Sequence, residues 1–167
     1  MPTDPQPHTP PADPLGLGPF SSHFRVAVVG RVFLARWFRA PQRPALEAVL
    51  KALAAESKRL GAPVVYCVYI GPDAEVLNES SRRLLAEFEP AMLQHAEAIH
   101  VVFAGSGLVV KMLLAARRAI NLGAPHRRRV RLHGSVDEFL AQVGGSVGTT
   151  PAAVTEAVVS LAAERGR

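Results

Sequence analysis

The sequence predicts a single α/β domain: a mostly parallel sheet flanked by helices, in the order β-β-α-β-α-β-α-β-α, with one more helix appended at the C-terminus. Three observations carry that prediction. The run Val64–Ile70 (VVYCVYI) is uninterrupted, apolar and of strand length, bounded by Pro63 and Gly71-Pro72, which suits a central strand buried on both faces. Apolar stretches of strand length alternate with segments of helical period. Glycine and proline stand at the boundaries between them.

Each element has a local cause. Phe24, Val26 and Val28 alternate with Arg25, Ala27 and Val29, and after Gly30-Arg31 the segment from Val32 to Phe38 is rich in β-branched and aromatic residues, so the two form a hairpin. Pro41 and Pro44 end the second strand and open a helix whose Leu46, Val49, Leu50, Leu53 and Leu60 share a face, and Gly61 followed by Pro63 stops it. Beyond the central strand, a loop from Gly71 to about Asn78 leads to a helix starting near Ser80 or Ser81, with Leu84, Leu85, Phe88 and Met92 inward. Pro90 falls inside that pattern and is expected to kink the helix or divide it in two. Ile99–Ala104 reads as a further buried strand, followed by Gly105-Ser106-Gly107 and a helix over 108–122. Residues 129–133 alternate like a half-exposed strand, and Ser135 caps a short helix, Val136–Val143, with Glu138 placed as in a capping box. The segment 144–150 (GGSVGTT) is expected to be a flexible link. Thr150-Pro151 then opens a last amphipathic helix over 151–167, with the stripe Val154, Val158 and Leu161, free to dock on its own domain or on a partner copy.

Composition sets the bounds. The 167 residues, 49% of them apolar, suffice for one ordinary domain. Half of the 14 prolines fall in the first 20 residues, so residues 1–23 are expected to be a disordered Pro-rich tail, a solvated segment or a docking peptide. That leaves about 120 residues, 24–143, as the core domain. The sequence holds no apolar stretch long enough to span a bilayer and no secretory leader pattern, and its single cysteine, Cys67, forms no disulfide framework. A cytoplasmic protein is the expectation.

The formal charge is +5, but the first 23 residues carry two acids and no base, so residues 24–167 hold 19 bases against 12 acids, or +7. The basicity is concentrated further. Lys111, Arg117, Arg118, Arg127, Arg128, Arg129 and Arg131 occur with no acid between Glu97 and Asp137. Such a patch suits nucleic acid, anionic headgroups or an acidic protein, or is an ordinary solvated face. No aromatic residue lies between 104 and 138 to stack on a single strand.

The opening strand pair, the run VVFAGSGLVVKML (101–113) and the closing RVRLHGSVDEFLAQV (129–143) together resemble the STAS and SpoIIAA-like families, the fold of bacterial anti-sigma-factor antagonists. The resemblance covers about residues 24–143. It implies a non-enzymatic regulatory module that binds a protein partner, switched by phosphorylation of a Ser or Thr near the start of the helix after a central strand. Counting strands places that position at Asn78-Glu79-Ser80-Ser81, and matching the phrases places it at Ser106. The family's usual Asp-Ser pair is absent, and Glu79 stands beside the first pair of serines.

Other chemistry is sparse. Gly105-Ser106-Gly107, with Lys111 one turn on, could present backbone N–H groups to a nucleotide or phosphate, although it matches neither a Walker nor a dinucleotide-binding motif. Cys67 lies inside the apolar strand as a small core residue. His95, His100, His126 and His133 lack the spacing of a metal site. No catalytic set emerges, so neither an enzyme nor a cofactor is expected; a protein partner leads, with a homo-oligomer and nucleic acid as further options.

Overall fold

The computed structural model describes residues 22–75, 77–104 and 129–163. Five strands form one sheet in the order β1-β2-β3-β4-β5: β1 (Phe24–Val29), β2 (Val32–Trp37), β3 (Val64–Ile70), β4 (Ala96–Phe103) and β5 (Val130–His133). β1 and β2 pair antiparallel, and β2 through β5 pair parallel. Helices α1 (Arg43–Leu60) and α2 (Glu79–Met92) cover one face; α3 (Val136–Val143) and α4 (Pro151–Ala163) cover the other. This is the expected mixed α/β architecture with an additional C-terminal helix. The helix expected over 108–122 and the tail 1–21 lie outside the described residues.

The pleat explains the two cores. Val64 and Tyr66 of β3 point toward Leu46, Val49 and Leu53 of α1, while Val65 and Cys67 point toward Phe139, Val154 and Val158. β3 is thus buried on both faces, and so its sequence has no polar alternation. α1 begins with Pro44 in its first turn and ends at Gly61, whose φ of +65° lets its N–H reach the Lys58 carbonyl.

Three elements differ from expectation. α2 runs as one helix through Pro90, which stands two residues from its end and withholds a donor only from the Ala86 carbonyl. β4 starts at Ala96 rather than Ile99, because Ala96 pairs with Val64 across the sheet. Residues 144–147, expected within a flexible link, wind into a 3-10 turn that buries Val147, whose carbonyl accepts from Arg31 N at 2.8 Å. That turn brings α4 back onto the domain, where Val154, Val158 and Leu161 are buried against β1 and β2.

Candidate functional site

Parallel strands present their connecting loops at the carboxyl end of the sheet, where ligands and partners of α/β folds are received. Here the connections after β2 and β3 meet. Glu75 joins them: its N–H donates to the Phe38 carbonyl at 3.1 Å, and its Oε2 accepts from Ala40 N at 2.8 Å. Ala74 N donates to the Gly71 carbonyl at 3.1 Å, closing a turn that directs the chain toward α2.

Asn78 is the N-cap of α2, its Oδ1 accepting from Ser81 N at 2.8 Å. Glu79 and Ser80 follow in the first turn, both exposed, whereas Ser81 turns inward and is buried. Of the two adjacent serines, only Ser80 offers its hydroxyl to solvent. Glu79 forms an ion pair with Arg83 one turn on, so its carboxylate is matched along the helix. Arg43 at the head of α1 clasps Glu87 of α2 through two bonds of 2.8 and 2.7 Å and lies over the Phe88 ring, which fixes the two helices against each other here. Between them opens a polar groove of about 510 Å³, with Arg39, Gln42, Glu75, Asn78 and Ser80 among its walls. Because Asn78 serves as a cap, Asn78→Ala costs about 1 kcal/mol of stability, read from the denaturant midpoint. Ser80→Ala, whose side chain caps nothing, leaves that midpoint unchanged.

The basic patch is represented by two members. Arg129 donates from Nε to the Glu97 carbonyl at 2.9 Å and from Nη2 to the Ala96 carbonyl, which places it at the amino end of β4, across the sheet's length from Ser80. Arg31 occupies the same end, bonded to Glu97 and to the Pro63 carbonyl at 3.0 and 2.8 Å. Arg131 is half-buried opposite His100 in the β4–β5 register. Gly105, Ser106, Gly107, Lys111, Arg117, Arg118, Arg127 and Arg128 lie outside the described residues.

Two clusters escaped the sequence reading. His100 on β4 and His133 on β5 meet with Nδ1 and Nε2 2.9 Å apart, both buried, with the edge of Phe139 against each ring. Burial pushes the His100 imidazole down to about 4, helped by the neighbouring His133 and Arg131. Their separation of 33 residues leaves no local signal; only the β4–β5 register unites them. Among the described residues no group of three His, Cys, Asp or Glu side chains is placed to hold a metal. Cys67, on the strand next to His100, is buried, and its thiol is pushed well above the ordinary range by desolvation, as suits a core residue rather than a nucleophile. The second cluster is Arg25 and Arg36 around Phe38, their Cζ atoms 6.0 and 5.1 Å from its ring centroid.

No family model matches this chain, and no curated protein matches it. Among solved structures, a crystal structure of a Thermotoga maritima protein described as an anti-sigma factor antagonist is similar over 74% of this chain and 97% of its own length, at 12% identity and a TM-score of 0.42. Among the described residues no helix is long and apolar enough to cross a membrane.

Proposed function

We propose that this chain is a non-enzymatic regulatory module, of the STAS-like kind its sequence resembles, that binds a protein partner at the carboxyl end of the sheet. Phosphorylation of Ser80 switches that binding. The observation that carries the reading is the exposed Ser80 hydroxyl in the first turn of α2, on the wall of a groove shared with Arg39. A phosphate there adds about −1.5 to −2 charge where the helix N-terminus favours an anion. It also changes the sign of the surface a partner meets. The pairing of Glu79 with Arg83 lessens the repulsion that an adjacent acid would otherwise impose. The distance between this groove and Arg129, whose guanidinium is occupied by strand carbonyls, argues against a single basic interface that includes residues 71–81.

The test is quantitative affinity capture from the native cells with the wild-type chain and with Ser80→Glu, Ser80→Ala and Arg127→Glu/Arg128→Glu variants. A specific protein retained by wild type and Ser80→Ala is expected to fall about tenfold with Ser80→Glu and to stay with the arginine variant. A partner set indifferent to Ser80→Glu sinks the switch. Loss with the arginine variant alone transfers the binding surface to the basic patch and to the nucleic-acid or anionic-ligand reading.

A further inference from the structure

We propose that Arg39 is the internal receptor for a phosphate on Ser80, so that phosphorylation joins the β2–α1 connection to the head of α2 and fills the groove between them. The inference rests on the reading that Ser80 is the residue phosphorylated. In that reaction the Ser80 hydroxyl loses its proton and takes the terminal phosphoryl group of a nucleoside triphosphate, and the nucleoside diphosphate leaves. The product is a monoester carrying about −1.5 to −2 charge and three acceptor oxygens. Such a group is held best by a guanidinium that is nearby and not already neutralised.

Three arginines stand near Ser80, and their engagements differ. Arg43 shares the groove with Ser80 but is held by both carboxylate oxygens of Glu87. Arg83, one turn on along α2, is paired with Glu79. Arg39 lines the same groove as Ser80 and is exposed, and its guanidinium takes part in no hydrogen bond or ion pair among the described residues. Its backbone, by contrast, is fixed. The Phe38 carbonyl accepts from Glu75 N at 3.1 Å, Ala40 N donates to Glu75 Oε2 at 2.8 Å, and Arg39 N itself donates to the His23 carbonyl at 3.3 Å. The fold therefore places Arg39 against the β3–α2 connection and leaves its side chain unengaged, so little ordering is required when an anion arrives.

Space and charge agree with this pairing. At about 510 Å³ the groove is of the size that admits a small ligand, so a phosphate on Ser80 has room to turn toward Arg39. Glu75 is the acid of the groove wall; its carboxylate is bonded to the Ala40 N–H and forms no ion pair with Arg39. Of the two arginines in the wall, only Arg39 is unmatched. Two phosphate oxygens fit the guanidinium fork side by side. Once formed, the pair withdraws Arg39 from any acidic side chain of a partner and occupies the space that side chain would use. Phosphorylation then closes the groove from within.

The test uses the full chain with phosphate installed at Ser80 during synthesis, so it needs neither a kinase nor a partner. Its readouts are the phosphorus NMR titration midpoint of the phosphoserine and the Arg39 Nε–Hε resonance, assigned by its loss in Arg39→Gln. Pairing is expected to weaken the phosphate's hold on its second proton about three- to tenfold, moving the midpoint from near 6 toward about 5, and Arg39→Gln returns most of that change. The Nε–Hε resonance moves on phosphorylation. In the unphosphorylated chain Arg39→Gln leaves the urea midpoint unchanged, because the exposed side chain holds nothing, so the comparison is between equally folded proteins. A titration midpoint equally low in wild type and Arg39→Gln overturns the proposal. A midpoint restored by Arg83→Gln instead overturns it too, by assigning the phosphate to its own helix. These outcomes are separate from those of affinity capture: capture lost with Ser80→Glu while Arg39 stays unmoved keeps the switch and removes its receptor, whereas a moved Arg39 with indifferent capture upholds the receptor and sinks the switch.

Discussion

Gly30→Ala is expected to destabilise this protein by about 3 kcal/mol or more and to loosen α4 from the sheet. Two costs combine. Gly30 has φ +58°, and an L side chain in the left-handed region costs roughly 1–2 kcal/mol. The larger cost is steric. The new Cβ would lie 2.5 Å from the Val147 carbonyl oxygen and 2.8 Å from that of Gly148, both backbone atoms that cannot rotate away. The 3-10 turn must therefore retreat, giving up the Arg31 N–Val147 O bond and the burial of Val147. Retreat of the turn also withdraws the anchor of Val154 and Val158, and burying a valine is worth about 1.5 kcal/mol or more. Gly61→Ala supplies the control: its φ is also positive, at +65°, but its Cβ would meet nothing within 4 Å. That substitution should cost about 1 kcal/mol. Urea midpoints of the two variants decide the matter, and equal losses would mean that the hairpin and the 3-10 turn are not clamped together.

The same contact shows where the sequence ceases to be legible. Elements set by neighbours along the chain were readable: the apolar run of β3, the Gly61 stop of α1, and the Ser135 cap, whose Oγ accepts from Glu138 N at 3.1 Å. The stripe Val154, Val158 and Leu161 was readable as a face, but not its destination on β1 and β2. GGSVGTT reads as a flexible link because glycine offers no local preference, and its order comes from Arg31, more than 110 residues upstream. At the candidate site, Asn78 and Ser80 were legible as a helix start, whereas the inward turn of Ser81 depends on how α2 packs. The convergence of Arg25 with Arg36, and of His100 with His133, is a product of strand register. Two residues that meet across a ladder carry no mark of it in a single sequence.

The buried His100–His133 pair yields the second large effect, a loss of stability on mild acidification. His100 is held neutral chiefly by burial, with His133 and then Arg131 adding to the depression, and its folded value lies near 4 against 6.5 for a solvated imidazole. In the unfolded chain the imidazole takes up its proton first as pH falls, so acid favours unfolding. The contribution is complete above about pH 6.5 and is withdrawn as pH falls toward 4, at a limiting slope of about 1.4 kcal/mol per pH unit and about 3 kcal/mol in all. A proton on His100 would place a buried charge beside His133 and Arg131, against the edge of Phe139. β5 and α3 are therefore the elements expected to open first, and amide exchange in residues 130–143 should accelerate before that of β3. Carboxylates titrate in the lower part of this range as well, so the discriminating quantity is the difference between wild type and His100→Gln, which retains a hydrogen-bonding group but cannot charge. Unfolding free energies of the two proteins measured between pH 7 and 4.5 should converge as pH falls, the wild type losing about 2 kcal/mol more than the variant. Parallel pH profiles would show that His100 takes its proton as easily in the folded chain as in the unfolded one.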